Sequence, residues 1–286
     1  MKLLDTHTHV IAPDPSHYPT GPIGGHQSEW SQARPVDAEG LLRAMDAANI
    51  EQAVVVQAST VYGHDNRYVA DTVRAHRDRF VGVYSLDALA ADAVDTIAYW
   101  QDQGLRGFRL FTTGSTMPGQ GDWLGHADSY PAWAYAEAHG IPVCLQMTVQ
   151  GIPALRALLE RFPKATVLLD HCARPVLDGG APYSAAEPLM ALAAYPGVHL
   201  KVTNRTLAAA AEGRSTPIEF LRALIAAFGA HRIAWGSNFP AAAGTLAELA
   251  ATARSVFSEL AADQQHAIGS ATALSLYPFQ RTAPRP

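Results

Sequence analysis

The sequence predicts a single-domain (β/α)8 TIM barrel, and three observations carry that reading. Eight short apolar or β-branched runs recur along 286 residues, stretches with helical spacing separate them, and polar residues of chemical interest gather where the runs end. Strands that alternate with helices pair in parallel through right-handed crossovers. Eight such units close a barrel, whereas five or six would build an open doubly wound sheet. No GxGxxG fingerprint follows the first run, which argues against a dinucleotide-binding sheet.

The first strand is predicted over Leu3–Thr6, running into the stretch "LDTHTHV" at residues 4–10. Residues two apart on a strand share a face, so Asp5, His7 and His9 would crowd three ionisable groups together. A packed core penalises such a face heavily, and a site that needs ligands or proton carriers explains it better. Residues 11–36 follow, with Pro, Gly, His17, His26 and Trp30 but neither helical nor strand period. The alternation then runs from helix Ala38–Ala48 through strand Gln52–Gln57, helix Asn66–Arg77, strand Phe80–Leu86 and helix Ala93–Gln103 to strand Gly107–Phe111. A second long connection, 112–126, reads TTGSTMPGQGDWLGH. Long βα connections are usually functional or disordered, and both of these would cover a ligand at the C-terminal mouth. Helix Ala132–His139, strand Val143–Met147, helix Ala154–Phe162 and strands Thr166–Asp170 and Val198–Thr203 come next. Helix Pro217–Phe228, strand Ile233–Gly236 and helix Leu246–Leu260 complete a barrel assigned to residues 1–280, with 281–286 as a C-terminal tail.

Composition narrows the function classes. Hydrophobic residues make up 48% and charged ones 16% of the chain, enough for one large core, and the formal net charge is −5. There is no basic run, so neither nucleic acid nor an anionic membrane is an expected partner. Cys144 and Cys172 form no disulfide framework and suit a reducing compartment. The N-terminus lacks a basic segment followed by an apolar one, and no apolar run reaches membrane-spanning length. The expectation is a soluble cytoplasmic protein with a small-molecule partner. Ala-rich exterior helices are compatible with a homodimer.

Barrel chemistry sits at the C-terminal rim. There the sequence places His7 and His9 at the end of the first strand, and Gln57, Ser59 and His64 in "QASTVYGHDN" after the second. Arg109 lies on the fourth, Gln146 on the fifth, and His171 with Arg174 after the sixth. Lys201, Asn204 and Arg205 belong to the seventh, and Ser237 and Asn238 to "WGSNFP" after the eighth. With the motifs "DTHTH", "VVVQAS" plus "HDN", "RGFRL", "LDHCARP" and "WGSNFP" in this order, the chain resembles the amidohydrolase superfamily. The branch is that of metal-dependent-hydrolase-like proteins, which includes 2-pyrone-4,6-dicarboxylate lactonase and the sugar lactonases. HxH alone is a weak signal; the five motifs together are strong.

The resemblance implies a lactone- or amide-type hydrolase with His7, His9, His171 and Asn238 as its catalytic centre. Their places at the rim make Ser59, His64, Arg109, Gln146, Arg174 and Arg205 the expected substrate contacts, the arginines because a guanidinium fork matches a carboxylate. Two departures stand out: Gln146 where middle strands usually supply another histidine or a modified lysine, and Asn238 where an aspartate is usual. An amide is no proton acceptor at neutral pH. Three histidines can still hold one divalent ion, zinc or manganese, with an open position that acidifies a bound water. The metal-independent route has histidines and arginines polarise the ester carbonyl, with His171 or His64 as base. Two classes therefore stay open: a hydrolase of a small anionic, carboxylated lactone, and a decarboxylase of the same superfamily or a binding protein without its base. Bland readings stand beside the functional ones. His76, His139, His199, His231 and His266 read as structural hydrogen-bonders, Cys172 as a small buried hydrophobe, and Lys201 as a structural ion-pair partner. Arg109 fits an interior carboxylate as well as it fits substrate.

Overall fold

In the computed structural model, whose described residues are 1–111 and 124–279, the apolar runs become eight parallel strands paired in chain order. They are β1 (Leu3–Thr8), β2 (Ile50–Val56), β3 (Phe80–Ser85), β4 (Gly107–Phe111), β5 (Val143–Gln146), β6 (Val167–Asp170), β7 (Val198–Thr203) and β8 (Ile233–Gly236). The barrel closes where Thr8 bridges Phe239 in parallel, just beyond β8. Across that seam Thr6 Oγ1 donates to the Trp235 carbonyl at 2.6 Å, Asn238 N to the His7 carbonyl at 2.8 Å, and His9 N to the Phe239 carbonyl at 2.9 Å. Gly236 is required there, because a Cβ would stand 2.7 Å from the Cβ of His7.

Period-two alternation builds two cores. On β2, Ala53 and Val55 face the surrounding helices, while Val54 and Val56 join Leu4, Val81, Val83, Cys144 and Leu168 inside the barrel. Tyr277, fully buried, belongs to this inner cluster, with its hydroxyl 3.3 Å from Cys144 Sγ. It follows a C-terminal run of helical turns, Ala262–His266, Ala267–Ala271 and Thr272–Leu276, for which the sequence carries no distinct pattern.

The outer helices start where capping chemistry permits. Asp37 accepts from Gly40 N ahead of Ala38–Ala47, Thr216 precedes Pro217–Phe228 with proline in the first turn, and Thr245 with Glu248 forms a capping box for Leu246–Phe257. The connection 11–36 differs from expectation in holding a five-residue helix, Glu29–Ala33, too short to show a period. Of the second long connection, residues 112–123 lie outside the described residues, as does the tail 281–286. Among the described residues no helix is long and apolar enough to cross a membrane.

Candidate active site

A cavity of about 140 Å3 opens at the C-terminal ends of the strands, with His9, Arg109, His171, Arg174, Arg205 and Asn238 in its walls. Ser59, Gln57, Gln146 and Trp30 also line it. Trp30 comes from the short helix in the 11–36 connection, and its ring lies 5.4 Å from that of His9 at an interplanar angle of 31°. Among the described residues the Ser59 hydroxyl and Gln57 Oε1 are buried without a hydrogen-bond partner, and both can bond a ligand.

The three histidines meet, but on unequal terms. His7 is fully buried and does not line the cavity; its ring centroid is 4.9 Å from that of His9 and 5.2 Å from that of His171. His9 Nδ1 lies 2.7 Å from the Val56 carbonyl. A carbonyl only accepts, so Nδ1 carries the proton and Nε2 keeps a lone pair. His171 Nδ1 sits 2.7 Å from Thr203 Oγ1. Burial, reinforced by Arg109, pushes His9 down to about 3, and burial with Arg109, Arg174 and Arg205 does the same to His171. Both imidazoles are therefore neutral at physiological pH.

Beneath them lies an ion cluster built around Asp170, a residue the sequence reading left unassigned. Its Oδ2 accepts from Arg109 Nε at 2.7 Å, and its Oδ1 lies 2.9 Å from Lys201 Nζ. Burial alone would raise this carboxyl; Lys201 and then Arg109 outweigh that and hold it well below the usual carboxylate range. The signal was present in the strand pattern. Leu168 faces the barrel interior, so Asp170 does too, and β6 pairs Asp170 in register with Lys201 of β7. Lys201 is thus the buried ion-pair partner its position suggested. Arg109 commits one edge to Asp170, donates to Gln146 Oε1, and stacks 4.6 Å above Phe111.

Asp5 does not join this face as simple alternation predicts. The β1–β2 register shifts between Leu3 and Asp5 and again between Asp5 and Thr8. The Asp5 carboxylate instead accepts from the backbone N of His7 at 3.0 Å and of Ser237 at 2.8 Å, and burial pushes it up to about 6. It thereby anchors the turn that presents Asn238, whose φ of +63° suits asparagine better than most residues. Among the described residues His64 is not one of those lining this cavity; its Nδ1 lies 2.9 Å from Ser85 Oγ.

His171 and Arg174 bracket a left-handed turn. His171, Cys172, Ala173 and Arg174 all have φ between +51° and +56°, with no glycine among them. Arg174 closes the turn through its backbone N to the His171 carbonyl at 3.0 Å. Burial, then Arg205 and Arg109, pushes Arg174 down to about 10, still cationic at neutral pH. Three guanidinium groups thus line a cavity with no carboxylate among its described lining residues.

This donor set does not fit a divalent cation. Among the described residues no group of three or more His, Cys, Asp or Glu is placed to hold a metal ion. Lys201 Nζ stands 3.3 Å from His7 Nδ1, Arg109 lines the same cavity, and Asn238 brings no charge. A dication would meet two fixed cations at short range, and Asp170 is already committed to both. The expectation of zinc or manganese on His7, His9 and His171 is not carried by this geometry.

A closed parallel barrel with imidazoles and guanidiniums at its C-terminal mouth has the layout of a barrel enzyme. The chain belongs to the amidohydrolase family, whose model matches residues 4–279. It is similar to the L-fucono-1,5-lactonase of Burkholderia ambifaria, 28% identical over 243 residues that cover 83% of this chain and 80% of the relative. Among solved structures it resembles a candidate 2-pyrone-4,6-dicarboxylic acid hydrolase from Pseudomonas putida (TM-score 0.78, 23% identity, 98% of this chain and 99% of that one). It also resembles an amidohydrolase from Burkholderia multivorans with zinc bound (TM-score 0.75, 22% identity, 98% and 100%). At these identities the structural likenesses carry the fold. The family generally depends on a divalent metal, and the donor set of this chain departs from that habit.

Proposed function

We propose that the protein opens a small anionic lactone at the barrel mouth, with water as nucleophile and its own side chains as the catalytic groups. The observation that carries this reading is the charge of the cavity: Arg109, Arg174 and Arg205 line it beside neutral His9 and His171, with no carboxylate among the described lining residues. A guanidinium fork matches a carboxylate, and similarity to a lactonase supports the cyclic ester. Arg174 and Arg205 hold the substrate carboxylate, while Trp30 offers a flat face to the ring. The Ser59 hydroxyl and the Asn238 amide donate to the ester carbonyl oxygen. His9 Nε2 takes a proton from water as its oxygen adds to the carbonyl carbon. The tetrahedral intermediate then expels the ring oxygen, which takes that proton back, leaving a hydroxy acid.

The test compares a carboxylated lactone with its methyl ester in the wild type and in Arg174→Met. A charge-assisted hydrogen bond contributes about 1.5–3 kcal/mol, so the acid should be favoured in kcat/KM by roughly tenfold or more. Arg174→Met should lose most of that preference. Equal kcat/KM for acid and ester in the wild type refutes the anionic substrate. Release of carbon dioxide from carboxylic acids, without lactone opening, would move the assignment to the decarboxylase reading.

A further inference from the structure

We propose that Lys201 fixes the tautomer of His7, placing the imidazole proton on Nε2 and thereby barring that nitrogen from binding a cation. The inference deepens the metal-independent reading above, and it rests on the surroundings of one ammonium group. Lys201 Nζ is fully buried, with three polar neighbours: Asp170 Oδ1 at 2.9 Å, His7 Nδ1 at 3.3 Å and Cys144 Sγ at 3.6 Å. An ammonium has three N–H donors and no acceptor, so in its hydrogen bonds to His7 Nδ1 and Cys144 Sγ the neighbour accepts, while Asp170 balances its charge.

For His7 this means a lone pair on Nδ1 and a proton on Nε2. The competing arrangement would have Nδ1 donate to Asp170 Oδ1, but that oxygen is 3.6 Å away, too far for a hydrogen bond, and lies closer to Lys201 Nζ, at 2.9 Å. Among the described residues His7 Nε2 is buried without a partner, which leaves its proton available to the histidine cluster. The adjacent His9 has the opposite tautomer, since its Nδ1 donates to the Val56 carbonyl and its Nε2 accepts. One imidazole of the pair donates and the other accepts. A cation needs lone pairs from both, whereas a water or an ester oxygen suits a donor beside an acceptor. Lys201 is thus a positioning residue that acts through His7.

Correlation spectra of the protein carrying 15N-histidine separate the two tautomers by which ring nitrogen bears hydrogen, and loss of one pattern in His7→Gln assigns it. The expected result is an Nε2-protonated His7 and an Nδ1-protonated His9. Neutron diffraction from deuterated wild-type crystals gives the same answer without any variant. A proton on His7 Nδ1 by either method overturns the inference, whatever the activity of the protein. In Lys201→Met the proton should move to Nδ1, towards Asp170, and affinity for zinc, titrated against a chromophoric chelator, should rise at least tenfold over wild type. An unchanged tautomer and unchanged zinc affinity in that variant would show that Lys201 does not set it. Absence of lactone hydrolysis would defeat the proposed function alone, because the tautomer is measured without substrate.

Discussion

Asp170 shows how one buried carboxylate can organise residues that would otherwise repel. Arg109 and Lys201 approach it from β4 and β7, and both oxygens are engaged at 2.7 and 2.9 Å. Removing one charge from such a cluster leaves the others desolvated and uncompensated, which typically costs roughly 3–5 kcal/mol. Asp170→Asn is expected to lose stability on that scale, read as a lower urea midpoint, and to disorder the wall that carries Arg109. Arg67→Ala breaks the surface pair with Asp65, where solvent screening leaves little to lose, and the midpoint should stay where it is. Equal effects from the two substitutions would mean that the Asp170 cluster is solvated in solution. Position 170 could be placed by alternation from Leu168, and Lys201 and Arg109 were each legible as ion-pair candidates, but that all three meet was not, since long side chains converge from strands far apart in sequence.

The left-handed turn His171–Arg174 is the element that the sequence conceals best. Glycine or asparagine usually marks positive φ, and "HCAR" contains neither. Strands were legible because each is a compact apolar run, and Gly107–Phe111, Val198–Thr203 and Ile233–Gly236 have the predicted bounds. Helices with several turns were legible from their period, and Pro217–Phe228 likewise agrees at both ends. Glu29–Ala33 was not, being barely one turn, so Trp30 was placed in a loop rather than assigned to the cavity. In the turn, each L-residue carries a steric cost of about 1–2 kcal/mol that glycine avoids. Ala173→Gly should therefore recover through relieved strain much of what it loses in packing and unfolded-state entropy. Ala136→Gly, at a buried position inside helix Tyr130–His139, has no such relief and costs about 1 kcal/mol in helix propensity before packing is counted. Urea denaturation should find Ala173→Gly the milder of the two by at least about 1 kcal/mol. If Ala173→Gly is the more damaging, the turn is not strained.

Over the whole molecule, the buried titratable groups set a direction for acid stability. His9 and His171 are both pushed down to about 3 and His7 well below its usual value, so the folded protein keeps them neutral while the unfolded chain protonates them near 6.5. Their contribution is fully present above pH 6.5 and is lost as pH falls towards 3, at about 1.4 kcal/mol per pH unit for each histidine. Asp5 acts in the opposite sense. Raised to about 6 from 3.8, it binds its proton more tightly when folded and adds stability as pH falls through that window. Between pH 6 and 4, His9 and His171 against Asp5 leave an uptake of at least about one proton on unfolding and a net loss of at least about 1.4 kcal/mol per pH unit, to which His7, His64 and His199, all pushed down by burial, add. Against a total stability of about 5–15 kcal/mol, that slope removes a large part within a few pH units, ahead of Asp170, whose carboxyl titrates well below 3.8. Stability from urea unfolding should accordingly fall steeply from pH 6.5 to 4. Asp5→Asn should steepen the loss by about one proton, and His9→Gln combined with His171→Gln should remove about two. A slope that the double histidine variant leaves unchanged would mean that these imidazoles are protonated in the folded protein. The neutral acceptor assigned to His9 would then be wrong, and with it the base in the proposed hydrolysis.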